Sequence, residues 1–304
     1  MSGSAPPLVS VIIPTYNRWP VVRDAIESVF AQTFADFELF VVDDGSTDGT
    51  VSELAGFGPR LRLLRQPNRG VSAARNSAIS HASGRYLALL DSDDLWRPKK
   101  LAIQTGFMER NPVVQICQTE EMWIRNGVRV NPKKRHRKPS GDIFMESLDL
   151  CLVSPSAVML KRELLQEIGG FDENFPVCED YDLWLRIAVN HSVPLIDEPL
   201  VIKRGGHADQ LSRSIWGMDR YRVLALQKLL RSGISGTKRL AALEALGRKV
   251  TVLAEGARKR GKLREAEDYE AILTEFTLNE DGRDGNSRLR DKQELSPADG
   301  RALA

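Results

Sequence analysis

Four short apolar runs, each followed at once by a polar or acidic loop and mostly by a helical pattern, constrain this chain more than any other feature. Residues 8–13, 37–42, 61–64 and 86–90 are strand-like, short and rich in β-branched or aromatic residues. Between them, 18–32 carries Val22, Ile26, Val29 and Phe30 at helical spacing, a short helix is expected near Thr50, and 71–81 reads as another helix. Strands alternating with helices give a parallel sheet with crossover helices. In such an open sheet the loops leaving the carboxyl ends of the strands build the ligand crevice. Those loops are 14–17, 43–48, 66–70 and 91–94, and all are polar or acidic.

Beyond Pro98 the pattern predicts a helix to about Asn111, a strand over 113–118 and a hairpin turning at Asn126 and Gly127. A basic loop over 133–138, a strand over 157–160, a helix over 162–168 stopped by Gly169 and Gly170, and a helix starting near Asp180 follow. From Met218 to Phe276 the chain is helical and charge-laced, and the polar tail 279–304 is expected to be disordered. The expected organisation is an α/β domain over 8–215, split into a nucleotide-binding half (8–97) and an acceptor half (98–215). A helical extension over 216–278 and the tail complete it.

With 304 residues, 42% of them hydrophobic, the chain can bury one large core and carry an appendage. Its 43 basic and 41 acidic residues leave a formal charge of +2, so the field of a nucleic-acid binder is missing and no such partner is expected. Cys117, Cys151 and Cys178 are too few and too scattered for a disulfide framework or a zinc site, which points to a reducing cytosol. Residues 1–7 lack the features of a signal peptide, and no run approaches the roughly 20 apolar residues of a spanning helix. A cytoplasmic protein is expected, with peripheral contact at the inner face of a membrane left open.

The acidic loops carry the chemistry. Asp91, Ser92, Asp93 and Asp94 end an apolar strand, where clustered carboxylates repel one another unless a divalent cation offsets them. Hard oxygen ligands select Mg²⁺ or Mn²⁺, which complete their shells with phosphate oxygens and water, so a phosphate-bearing substrate is implied. Asp43 to Gly49 invites a calcium reading but fails it, because a loop starting at Asp44 would need its closing Glu where Ala55 stands. A carboxylate here can accept hydrogen bonds from a base or ribose instead. Asn68, Gly70, Arg75 and Asn76 surround a helix start that favours an anion. Glu179 and Asp180 open a later helix, where either a general base or a simple cap fits. His207 lies in a glycine-flanked stretch and is a possible ligand.

Together, residues 11–17, 42–48, 68–76 and 90–94 and the Glu179–Asp180 pair resemble the family 2 glycosyltransferases in order and interval, over about residues 8–211. The resemblance implies a GT-A fold, a nucleotide-diphospho-sugar donor (UDP being common in the family) and transfer with inversion. It implies that Thr15 and Tyr16 line the base pocket, that Asp44 bonds the base, and that Pro14, Asn17 and Asp43 help bind the donor nucleotide. Arg75 and Asn76 could reach the diphosphate, Asp91 would meet the ribose, and Asn68, Gly70 and Ser92 would help bind the donor nucleotide. Asp93, supported by Asp94, would hold the metal, with His207 matching a metal-binding histidine of some relatives. Asp180 would be the base, with Glu179 beside it, and Trp184 would meet the sugar or a glycan or lipid-linked acceptor. Two rivals stand beside it: a non-catalytic nucleotide-sugar binding module, and a haloacid dehalogenase-type phosphatase, whose motif wants Thr or Val where Leu95 stands. No Gly-x-Gly-x-x-Gly follows the first strand, which disfavours a dinucleotide oxidoreductase.

Overall fold

The structure, a computed structural model, describes residues 5–131, 133–206 and 216–287, with side chains as far as Phe276. Two compact units result, Met1–Leu229 and Leu230–Ala304. The first ends beyond the boundary expected at 215.

In the first unit β1 (Val9–Thr15), α1 (Val21–Phe30), β2 (Phe37–Asp43), α2 (Thr50–Ala55), β3 (Arg62–Arg65), α3 (Val71–His81) and β4 (Tyr86–Leu89) follow the expected alternation. β1 lies between β2 and β4, parallel to both, and β3 pairs parallel with β2. Every residue of β1 is buried, as a strand covered on both faces requires. α1 buries Val22, Ala25, Ile26 and Val29, one face of a helix, in the same core as Val9, Val11, Ile13 and Tyr86. It starts after Pro20, later than predicted, which frees 16–20 as a loop.

Gly84 lets the turn before β4 cross β1. A Cβ there would lie 2.5 Å from the Ser10 backbone nitrogen. Glu38 is tied in at the same place, accepting from Ser10 Oγ at 2.7 Å and from Ser83 N and Oγ at 2.8 Å each.

The rest of the unit contains β5 (Leu95–Trp96), α4 (Lys100–Arg110), β6 (Ile116–Arg125), β7 (Val128–Val130), α5 (Phe144–Ser147), β8 (Val158–Lys161), α6 (Arg162–Ile168), α7 (Glu179–Ala188), β9 (Leu195–Gly205) and most of α8 (Met218–Arg231). The sheet order is β3-β2-β1-β4-β8-β6-β9-β5, with β7 paired to β6. β8 runs antiparallel to β4 and β6, while β9 runs parallel to β6, so parallel pairing predominates by length. The hairpin at Asn126 and Gly127 forms as predicted, but β6 is longer than the expected 113–118. β5 and β9 were not foreseen. β9 mixes charged and apolar residues, and its register on β6 shifts twice around Glu120, so no clean alternation is left to read.

The second unit holds α9 (Gly236–Lys259) and α10 (Leu263–Ser287). They are joined by a tight turn in which Gly261, at φ 75°, donates to Arg258 O and Lys262 N donates to Ala257 O. Ala254, Ala257 and Ala266 form its small core against Tyr269. α10 extends past the expected start of the tail at 279, and residues 288–304 lie outside the described ones. No described helix is long and apolar enough to cross a membrane.

Candidate active site

The four strand-end loops and the start of α7 converge on one cleft of about 830 Å³. Of the residues named from sequence, Pro14, Thr15, Tyr16, Asn17, Asp44, Asn68, Gly70, Arg75, Asp91, Ser92, Asp93, Asp94, Glu179 and Asp180 line it. Asp43, Asn76 and Trp184 do not, and His207 lies outside the described residues.

The first two loops are fastened to each other. Asn17, at φ 49°, donates its N–H to Ser46 Oγ at 2.8 Å and accepts from Thr47 N at 2.7 Å. Asp44 accepts from Gln66 Nε2, Arg69 N and Gly70 N at 2.7, 2.9 and 2.8 Å, which fixes the third loop against the second. Among the described residues Gly70 N is the one donor on Oδ2, which leaves an acceptor direction open. Gly45 is required here: at φ +84° its Cβ would lie 2.7 Å from Asn68 N. Tyr16 is half exposed above these loops, and Thr15 Oγ1 is buried without a hydrogen-bond partner at the cleft wall.

Three expectations are corrected by packing. Asp43 is fully buried behind its loop, where Oδ2 accepts from Ser46 N at 3.1 Å, so it shapes the loop rather than lining the cleft. Asn76 faces the segment after Gly170, accepting from Phe171 N at 3.0 Å and donating to Phe171 O at 2.8 Å. Trp184 is buried edge-on to Phe171, with ring centroids 6.5 Å apart, because α7 turns that face to the core.

The carboxylates divide into two kinds. Asp93 is partly exposed and pairs with Arg18 at 2.9 Å. Asp94 is turned inward, accepting from Ser156 Oγ at 2.7 Å and Arg204 N at 2.9 Å. Burial pushes its carboxyl up to about 8, against the pull of Lys203 and with a further push from Asp91 and Asp93. It braces β9 rather than supporting Asp93 as a ligand. Arg75 is likewise committed internally: its two terminal nitrogens reach Asp91 at 2.8 Å and Glu179 at 2.7 Å. Burial and then Asp180 push Glu179 up to about 7, even with Arg75 beside it.

α7 presents Asp180 to the cleft. Cys178, just before it, adopts a left-handed conformation at φ 61°, a strain that non-glycine residues accept mainly where a site demands it. Asp180 Oδ1 accepts from Tyr181 N at 2.7 Å, and the Cys151 thiol donates to Oδ2 at 3.3 Å.

Sequence reasoning missed Arg18, Lys203 and Arg204 in the lining. Arg18 directly follows the first loop, so the strand-end rule already pointed at it. Lys203 gave no local signal. It is paired with Ser154 Oγ at 2.9 Å, and although burial alone would depress its ammonium, Glu121, Asp94, Asp91 and Asp180 raise it, making it a fixed cation.

The profile of Glycosyl transferase family 2 matches residues 10–169, and the chain belongs to that family. It is 40% identical over 195 residues to an uncharacterized glycosyltransferase of Rickettsia felis, covering 63% of this chain and 32% of that one. The chain thus spans about a third of the length of that relative. It is 34% identical over 192 residues to Escherichia coli WfgD, named as a UDP-Glc:alpha-D-GlcNAc-diphosphoundecaprenol beta-1,3-glucosyltransferase, covering 62% of this chain and 73% of WfgD. Among solved structures, S. aureus TarS residues 1–349 in complex with UDP-GlcNAc superposes with a TM-score of 0.68 at 20% identity, over 88% of this chain and 80% of that one. The fold is GT-A, as the resemblance implied.

Proposed function

We propose that this protein transfers a sugar from a nucleotide-diphospho-sugar to an acceptor hydroxyl with inversion at the anomeric carbon. The observation that carries the reading is the convergence of all four strand-end loops and Asp180 on one cleft. UDP is the favoured nucleotide: WfgD is named for a UDP-glucose donor and TarS was solved with UDP-GlcNAc. In this reading Thr15, Tyr16 and Asp44 receive the base, Asp91 meets the ribose, and Asn68 and Gly70 face the diphosphate.

The residues present fit a divalent cation. Asp93, partly exposed at the cleft with its Oδ2 paired to Arg18, offers a hard carboxylate, and Mn²⁺ or Mg²⁺ takes one or two carboxylates with phosphate oxygens and water. A mannosyltransferase from Pyrobaculum calidifontis with the same fold (22% identity, TM-score 0.52, 90% of this chain and 88% of that one) was solved with GDP-Man and Mn²⁺. Among the described residues no three His, Cys, Asp or Glu side chains form a cage of their own, so phosphate oxygens would share the coordination. When bound, the metal would supply Lewis-acid stabilisation of the charge that grows on the departing diphosphate.

Asp180 takes the proton of the acceptor hydroxyl as its oxygen bonds to the anomeric carbon from the face opposite the diphosphate. Its carboxylate is braced by Tyr181 N and the Cys151 thiol. Glu179 serves indirectly, holding Arg75 and through it Asp91. The acceptor is a hydroxyl of a glycan or lipid-linked glycan, reached at the inner face of a membrane, by analogy with the diphosphoundecaprenol-linked acceptor in the name of WfgD.

The test is a screen of UDP- and dTDP-sugars for metal-dependent release of the nucleotide. Sugar-dependent release that is lost in Asp180→Asn supports the transferase. Nucleotide binding with no release from any sugar, across glycan and lipid-linked acceptors, favours a binding module.

A further inference from the structure

Residues 122–141 contain no Asp or Glu but seven Lys and Arg, in a chain whose formal charge is only +2. They form the end of β6, the turn at Asn126 and Gly127, β7, and a single helical turn over Lys134–His136. Lys138 turns inward to Glu121 at 3.2 Å. The other six, Arg125, Arg129, Lys133, Lys134, Arg135 and Arg137, are exposed, and none has an ion-pair partner among the described residues. Unpaired cations crowded this closely repel one another.

The interior of the patch registers that field. His136 packs against Trp123 with ring centroids 5.5 Å apart, and its Nε2 accepts from Arg135 Nε at 3.3 Å, so the ring is neutral there. Burial, then Arg135, Arg125 and Lys133, hold it below the usual histidine range. Arg125 also lies over the Trp123 ring at 5.6 Å. At the hairpin tip Val128, paired across from Arg125, is 65% exposed.

The patch is joined to the cleft through the sheet. Trp123 and Ile124 pair in register with Lys203 and Arg204, both of which line the cleft.

We infer that this hairpin and turn are a docking surface for the anionic headgroups of a lipid bilayer. Clustered phosphates match the exposed cations, and Val128, on the same hairpin face as Arg125, supplies an apolar contact that a headgroup layer accepts and a polynucleotide backbone does not use. The inference gives a physical site to the membrane-face location proposed above. It stands apart from the cleft chemistry, because binding to vesicles needs neither donor nor metal.

The experiment is co-sedimentation of the full chain with vesicles of phosphatidylcholine alone and with vesicles of equal parts phosphatidylcholine and phosphatidylglycerol. UDP binding is measured on the same samples. Each basic residue near an anionic surface changes partitioning about fivefold, so Lys133→Ser, Lys134→Ser and Arg135→Ser together should weaken it on the order of a hundredfold. A triple variant of matched charge elsewhere, Arg60→Ser, Lys259→Ser and Arg264→Ser, should bind vesicles as the wild type does. Wild-type binding should vanish in high salt. Equal binding to neutral vesicles, salt-insensitive binding, an unaffected patch variant, or tighter binding to RNA than to anionic vesicles would overturn the inference. None of these outcomes depends on turnover, so failure of docking and failure of the transferase reading are separable.

Discussion

Asp44, after a strand of the parallel half of the sheet, is held by two backbone N–H groups and a glutamine amide, whereas Glu121, in the mixed half, is held by a cation. Glu38 repeats the first pattern, with Ser10 and Ser83 as its buried partners and Arg62 only on its outer side. Asp182 repeats the second, paired with Arg186 at 2.8 Å and Lys228 at 3.0 Å while fully buried. Neutral dipoles fix Asp44 and most of Glu38 on the donor side, where Asp93 and Asp91 also carry ion pairs to Arg18 and Arg75. The other side is assembled from distant segments, and ion pairs lock them in register. Arg75 joins the two, reaching from α3 to Asp91 on one side and Glu179 on the other.

The two sides should separate most clearly at the chemical step. Asp180→Asn should lower turnover by about 10²- to 10⁴-fold while nucleotide affinity stays near that of the wild type, because the donor side does not lean on Asp180. Unchanged turnover would remove Asp180 from its role, and a parallel loss of affinity would show that the two sides are not independent.

Next is the joint between them. Arg75→Met leaves Glu179 and Asp91 without their shared cation and should cost about 3–5 kcal/mol in urea unfolding. Arg75→Lys should recover part of that loss. A change below about 1 kcal/mol for the Met variant would mean the triad is worth no more than a surface pair.

The smallest expected effect is on acid stability. Burial raises Glu121, but Lys138 and Lys203 outweigh it and hold the carboxyl at about 2. Its folded value lies below the unfolded one, so its contribution is fully present above about 4.5 and is lost as pH falls towards about 2. The loss amounts to about 3 kcal/mol across that window. Unfolding free energy measured over it should fall less steeply in Glu121→Gln, and an equal slope would assign the acid transition elsewhere.

The same division governs what could be read from the sequence. In the parallel half each crossover is local, so strand, loop and helix appear in order, and α3 spans the expected 71–81. The cleft loops followed from that order alone. β8 was expected within a residue of where it forms, yet nothing local tells that it inserts between β4 and β6. β9 was missed together with its Lys203 and Arg204, because what makes it a strand is β6, some eighty residues earlier. Direction was the other illegible property. Asp93 and Asp94 are adjacent and chemically alike, but only the fold turns one to the cleft surface and the other onto Ser156. Asn76 and Trp184 failed for the same reason, having the right residue types on faces that pack against Phe171.

The most direct measurement is a calorimetric titration of UDP with and without Mn²⁺ on the wild type and on Asp93→Ala. Binding should strengthen with the metal in the wild type and lose that dependence in Asp93→Ala. No binding of UDP or of any other nucleoside diphosphate under either condition would contradict the assignment of the cleft to a nucleotide-sugar donor.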